Sequence, residues 1–241
     1  MLVASKLSPA PDGSGFRRDE VRAGCQASLA RLCRDHVDIY FLHYPDATGV
    51  PLDETWGALT ELVDDGLVRA ISLSNYRLED VERCHGQRSV DVVQDGLPLV
   101  DHLEDRAMFS RCAELGVAVV VYEPLGSGTL SGRPIEQVRE AWAEWSELGF
   151  YQRLLEGDNG ENSAALVAAL RPVADRLGVS VPQLAIAWVV HQPGVTSAIA
   201  GSRNTEHVRQ NALAAEINLP ASVLAELERV FALGPTAAPP G

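Results

Sequence analysis

Short β-prone runs alternate with longer amphipathic stretches along the whole chain. Met1–Lys6 (MLVASK) and Val37–His43 (VDIYFLH) read as strands. The second barely alternates, which is the pattern of a strand buried on both faces. Val68–Leu73, Val90–Gln94, Val117–Tyr122 and Val195–Ala200 continue the series. Between them, Arg18–Leu32 places Val21, Cys25, Ser28, Leu29 and Leu32 on one helical face. Leu52–Val63 reads as a helix stopped by Gly66, Leu78–Cys84 as a short helix, and Leu103–Leu115 as a helix ended by Gly116. Ser163–Leu177, Pro182–His191, Thr205–Ala215 and Ala221–Phe231 complete the helices. Six strand–helix units in strict alternation predict an α/β fold of parallel strands joined by right-handed crossovers. On count alone, six units suit an open doubly wound sheet better than a closed barrel of eight.

The rhythm breaks between residues 134 and 162, where Trp142, Trp145, Phe150 and Tyr151 sit among charged residues. This stretch reads as an insertion with some helix. It either shapes the mouth of a pocket or forms an aromatic patch over helix ends. The chain otherwise reads as one domain over residues 1–233, followed by a flexible Pro/Gly/Ala tail at 234–241.

Composition narrows the function classes. A net charge of −13 disfavours nucleic acid as a partner and leaves any anionic cofactor to be held by local donors. No stretch approaches the roughly 18 apolar residues of a membrane span. The cysteines Cys25, Cys33, Cys84 and Cys112 form no C-x-x-C pair and no metal-ligand spacing, which suits a reducing cytoplasm.

Polar or special residues stand at the carboxyl end of every predicted strand: Lys6, His43, Ser74 with Asn75, Gln94, Tyr122, and Gly201 with Ser202 and Arg203. In a parallel β/α architecture those ends open on one face, where active sites are kept. Each member has an ordinary reading on its own. Lys6 could be a solvated strand end, His43 a hydrogen-bonded structural histidine, Asn75 a turn residue and Tyr122 a core residue. The joint pattern is what points to a site.

These same residues carry a family resemblance. Leu42-His43-Tyr44-Pro45 after Asp38-Ile39-Tyr40 resembles the aldo-keto reductase strand that delivers an active-site histidine. Ile71–Tyr76 (ISLSNY) is similar to that family's nicotinamide-binding stretch. Tyr122–Gly132 (YEPLGSGTLSG) is similar to its aromatic stacker and glycine-rich loop, and Ile199–Asn211 (IAGSRNTEHVRQN) to its phosphate-binding segment. Ala4-Ser5-Lys6 resembles the strand end bearing its lysine. The resemblance implies a TIM (β/α)8-type barrel and reduction of aldehydes or ketones by NADP(H). It implies that Lys6 and His43 are catalytic, and that Ser74, Asn75 and Gln94 hold the carboxamide. Tyr122 would stack on the nicotinamide, with Leu125 and Gly126 in the loop beside the cofactor. Gly201, Ser202, Arg203, Gln210 and Asn211 would hold the adenosine end. Arg203 would reach a 2′-phosphate, and the helix beginning at Thr205 would offer N–H donors to phosphate.

The chain also departs from the family's pattern. Ser72 stands where a glycine is usual, Gln210 where a glutamate is common, and Glu123 where a serine is frequent. The family's tyrosine proton donor and its aspartate lie upstream of the lysine, whereas only five residues precede Lys6. The expectation is therefore an incomplete barrel of about six units, lacking the first two, that reduces carbonyls feebly as it stands. Its open apolar strand edges would offer a route to self-association. Three readings remain open: a shortened copy of an ordinary reductase, a non-redox relative, and a regulatory module that keeps the nucleotide pocket without turnover.

Overall fold

The computed structural model describes residues 2–10, 13–45, 49–96, 105–143 and 159–231. Within the stretch 134–162, read as an insertion with some helix, Ile135–Ala143 is helical, while Trp145, Phe150 and Tyr151 lie outside the described residues, as does the tail 234–241. The elements run β1 (Ala4–Leu7), α1 (Arg18–Leu32), β2 (Val37–Leu42), α2 (Leu52–Asp64), β3 (Val68–Ser74), α3 (Leu78–Gln87), β4 (Val92–Gly96), α4 (Asp105–Glu114) and β5 (Ala118–Tyr122). They continue with α5 (Ile135–Ala143), α6 (Asn159–Leu177), α7 (Val181–Val190), β6 (Ser197–Ile199), α8 (Thr205–Leu213) and α9 (Ala221–Phe231).

The strands are ordered β1-β2-β3-β4-β5-β6, each beside its neighbour in sequence. A doubly wound sheet reverses its order at a switch point. A strictly sequential order is that of the (β/α) barrel type, so topology decides what the count of units left open. Contacts divide the chain into two compact units. One is Met1–Asp95 with Ser110–Val120, the other Gly96–Phe109 with Val121–Gly241.

In the first unit, β1 to β4 pair in parallel, with Lys6 opposite Phe41, Leu42 opposite Leu73, and Ser74 opposite Gln94. The β2 run is apolar because nearly all of it is buried. Asp38 is the exception, only 5% exposed and fully engaged. Its carboxylate accepts from the Val3 backbone N–H at 2.9 Å and from Arg69 at 3.0 Å. One buried charge thus ties together the amino ends of β1, β2 and β3. The Val3 N–H, and then the neighbouring cations, hold the Asp38 carboxyl below the ordinary carboxylate range.

Helix α1 buries Val21, Cys25, Ser28 and Leu29, following the predicted face. Leu32, expected on that face, is 40% exposed. The helix stops there because Cys33 takes a left-handed conformation (φ 52°) that turns the chain away. Gly24 permits the close approach of α1 to β1, since a Cβ there would lie 2.5 Å from the Leu7 side chain.

In the second unit, α7 is buried almost throughout. Its Trp188 ring meets Phe231 of α9 with centroids 4.6 Å apart. Fully burying a large apolar side chain contributes about 1.5–3 kcal/mol, so this pair anchors α9 to α7. Ser180 and Gln183 cap α7 reciprocally, each side chain accepting from the other's backbone N–H. His191 follows the helix with Nδ1 2.7 Å from the Ala187 carbonyl oxygen and Nε2 3.4 Å from the Leu219 N–H. The ring thus bridges the end of α7 to the chain entering α9.

Candidate active site and nucleotide cavity

At the carboxyl ends of β1 to β3 the first unit places Lys6, His43, Ser74 and Asn75; Gln94, expected to end its strand, lies two residues inside β4 but level with Ser74, because β4 runs on to Gly96. Lys6 is half-buried, with Nζ 5.7 Å from the centroid of the Phe41 ring. Burial lowers its pKa by disfavouring the ammonium. His43 is also partly buried, and its pKa is lowered by burial first and by the Lys6 charge second. Its ring is therefore neutral near pH 7.

Ser8, which the sequence pattern did not single out, lies with Oγ 2.9 Å from His43 Nδ1. It stands two residues beyond Lys6, the spacing that returns side chains to one side of an extended chain. That spacing is the signal that could have found it. Strand alternation would put the adjacent Tyr44 on the face opposite His43. Instead β2 ends at Leu42, alternation lapses, and the Tyr44 ring stacks on His43 with centroids 4.2 Å apart.

Asn75 has a left-handed backbone (φ 65°). Its Nδ2 donates to the His43 carbonyl oxygen at 2.8 Å and to Ser74 Oγ at 3.1 Å. Its backbone N–H reaches the Gln94 carbonyl oxygen at 3.2 Å. The Ser74 and Gln94 side chains, opposite each other in the β3–β4 register, are both buried. Tyr76 Oη donates to the Tyr44 carbonyl oxygen at 2.9 Å, so the segments after β2 and β3 are joined twice.

The second unit contains a cavity of about 1220 Å³. Leu125, Gly201, Ser202, Arg203, Gln210 and Asn211 line it, as do Glu123, Ser127, Arg133, Trp142, Gln183 and His207. Gly126 is buried at φ 52°, where a turn from Glu123 needs a left-handed residue. Tyr122 ends β5, its ring 3.2–3.3 Å from where a Cβ on Gly96 would be. Gly96 therefore leaves room for that ring. Trp142 Nε1 donates to the Ser127 carbonyl oxygen at 2.6 Å, tying α5 to the glycine-rich loop.

The start of α8 differs from expectation in one respect. Asn204 Oδ1 accepts from the N–H groups of Glu206 (2.8 Å) and His207 (3.4 Å), and Asn204 N–H donates to Ser202 Oγ (3.1 Å). Those donors are already engaged. The side chains of Ser202, Arg203 and His207 line the cavity beside them. The Ser127 hydroxyl is buried without a protein partner on a residue that lines the cavity. The chemistry of the lining, with Arg133, Arg203, His207 and hydroxyl and amide groups around apolar walls, fits a phosphorylated nucleotide. Among the described residues, no group of three or more His, Cys, Asp or Glu could hold a metal ion. No single described helix is long and apolar enough to cross a membrane.

Sequential β/α topology with polar groups at the strand ends defines an α/β enzyme-type scaffold. Comparison makes the class specific: a profile of the Aldo/keto reductase family matches residues 1–232, and the chain belongs to that family. Among solved structures, the chain is similar to a thermostable aldo-keto reductase, Tm1743, described in complex with the inhibitor epalrestat. The match has a TM-score of 0.71 and 26% identity, covering 97% of this chain and 72% of that one.

Proposed function

We propose that this protein is an NADP(H)-dependent carbonyl oxidoreductase that acts on aldehydes or ketones. The observation that carries the reading is the half-buried Lys6–His43–Ser8 group at the carboxyl ends of parallel strands, in a chain of the aldo/keto reductase family. The bound dinucleotide supplies hydride. Ser8 Oγ engages His43 Nδ1, and when it donates there the neutral ring carries its proton at Nε2. His43 orients the carbonyl oxygen through a hydrogen bond from Nε2, and Lys6 or His43 gives that oxygen the proton it takes up as hydride reaches the carbon, and is itself reprotonated from solvent. The Lys6 ammonium stabilises negative charge developing on the same oxygen, an effect magnified by partial burial. Ser74, Asn75 and Gln94 hold the carboxamide of the nicotinamide, and Tyr122 stacks on its ring. Ser202, Arg203, Gln210 and Asn211 hold the adenosine end, with Arg203 on the 2′-phosphate. Buried, unpaired thiols at Cys25, Cys84 and Cys112 suit the reducing cytoplasm.

Two measurements on the intact chain test this. Fluorescence titration should show NADPH binding. NADPH absorbance, followed with a panel of aldehydes and ketones, should show turnover that falls in His43→Gln and Lys6→Met. Binding without any carbonyl-dependent loss of NADPH would favour a nucleotide-binding regulatory role, and absence of binding would reject the reading.

A further inference from the structure

Four polar side chains beside the cavity form a hydrogen-bonded series whose direction is set from the Ser180 end. The Ser180 backbone N–H donates to Gln183 Oε1 at 3.0 Å. Gln183 Nε2 donates to Gln210 Oε1 at 2.9 Å. Gln210 Nε2 donates to Glu206 Oε1 at 2.7 Å, and Arg209 holds the other oxygen of that carboxylate at 2.7 Å. A backbone N–H can only donate and an ionised carboxylate can only accept. The first forces Gln183 to turn its oxygen toward Ser180 and its nitrogen toward Gln210. The second takes the nitrogen of Gln210 in the same sense, but from an exposed carboxylate whose side chain can rotate into solvent, so Gln183 is the end that holds the direction. Both constraints agree, so neither carboxamide can flip without creating a donor–donor or acceptor–acceptor clash.

We propose that Gln183 is a positioning residue that fixes the polarity of the Gln210 carboxamide, and so makes the cavity select a 6-amino purine over a 6-oxo purine. The inference rests on the dinucleotide-binding reading of the cavity. Gln183 and Gln210 both line it. After the relay is satisfied, Gln210 Oε1 retains a second lone pair and Nε2 a second hydrogen. That pairing matches the amino donor and ring-nitrogen acceptor of adenine, whereas hypoxanthine places a carbonyl acceptor where the amino group stood. An untethered glutamine would rotate to accommodate either base. A glutamine whose polarity is fixed by Ser180 through Gln183 cannot. The Ser-x-x-Gln spacing at residues 180–183 is thus both a helix cap and the start of a base-reading device.

The test is fluorescence titration of the full chain with NADPH and with its hypoxanthine analogue. The wild type should bind NADPH about tenfold more tightly, the loss that follows a mispaired hydrogen-bonding group. Gln183→Glu keeps the helix cap but presents only acceptors to Gln210, reversing its polarity. In that variant the preference should fall to about twofold or less, within the spread of a single neutral hydrogen bond. Gln183→Leu, with no amide to set direction, should reduce the preference as well, and serves if the glutamate variant does not fold. Equal binding of the two dinucleotides by wild type, or an unchanged preference in the folded variants, would overturn the relay while leaving the cavity a nucleotide site. Failure of wild type to bind either dinucleotide would overturn both.

Discussion

Asn75, held at φ 65°, donates from Nδ2 to the backbone carbonyl oxygen of His43 at 2.8 Å. The residue after β3 thereby sets the path of the residue after β2, and with it the place of the His43 ring. Asparagine tolerates the left-handed region better than any residue but glycine. Asn75→Gly should therefore lose only the side-chain bonds, about 1 kcal/mol. Asn75→Ala should lose a further ~1 kcal/mol for the backbone. Urea unfolding midpoints check the order; equal losses in the two variants would remove the backbone contribution.

Ser8 is expected to act through His43. Ser8→Ala should lower carbonyl turnover about tenfold, the worth of one well-placed hydrogen bond. The dissociation constant for NADPH should stay unchanged, because Ser8 touches His43 and not the nucleotide cavity. Ser8→Thr, which keeps the hydroxyl, should recover most of the rate. A loss of NADPH affinity equal to the loss of rate would instead point to a general structural role.

The sign of the pH dependence follows from the His43 environment. Its folded pKa is lowered, so below the ordinary imidazole value of about 6.5 the unfolded chain binds more protons than the folded one. Stability should fall as pH drops through the window just beneath that value, and level off above it. Asp38 acts separately: its folded pKa lies below 3.8, so its contribution is present above that value and is lost as pH falls lower. Thermal midpoints measured from pH 8 to pH 3 should show both declines. The upper one should be absent in His43→Gln and the lower one diminished in Asp38→Asn.

Arg203 is exposed, lines the cavity, and makes no ion pair among the described residues. Arg203→Ala should weaken NADPH binding by about 10-fold or more, the worth of a charge-assisted hydrogen bond, and NADH binding much less. Equal losses in parallel titrations would remove Arg203 from the 2′-phosphate.

Trp142 joins α5 to the glycine-rich loop through one short bond to the Ser127 carbonyl oxygen. Trp142→Phe keeps a ring but removes the donor. It should cost about 1 kcal/mol and raise the exchange of loop amides with solvent, measured by hydrogen–deuterium exchange.

Much of the fold is legible in local pattern. The α1 face at Val21, Cys25 and Leu29, the unbroken apolar run of β2, and the stops at Gly66 and Gly116 are short-range consequences of periodicity and backbone freedom. The strand-end positions of Lys6, His43 and Asn75 follow from the same pattern, whereas β4 runs two residues past Gln94. Other features depend on residues far apart in sequence. Asp38 reads as a lone charge in an apolar strand until Val3 and Arg69 are brought to it. Tyr44 reads as pointing away from His43, because alternation says so until the strand ends one residue earlier.

By itself, the order of residues determined the alternating elements, the parallel class and the polar groups at the strand ends. These depend on 2.0- and 3.6-residue periods and on which side chains water rejects. The tertiary structure alone decided the strand order that separates a barrel-type topology from a doubly wound one. It also decided the pairing of Ser8 with His43, and the direction of the Gln183–Gln210 relay. A hydrogen bond between residues 35 or 27 positions apart leaves no trace in local periodicity, because the chain has first to close the loop that brings its two ends within reach.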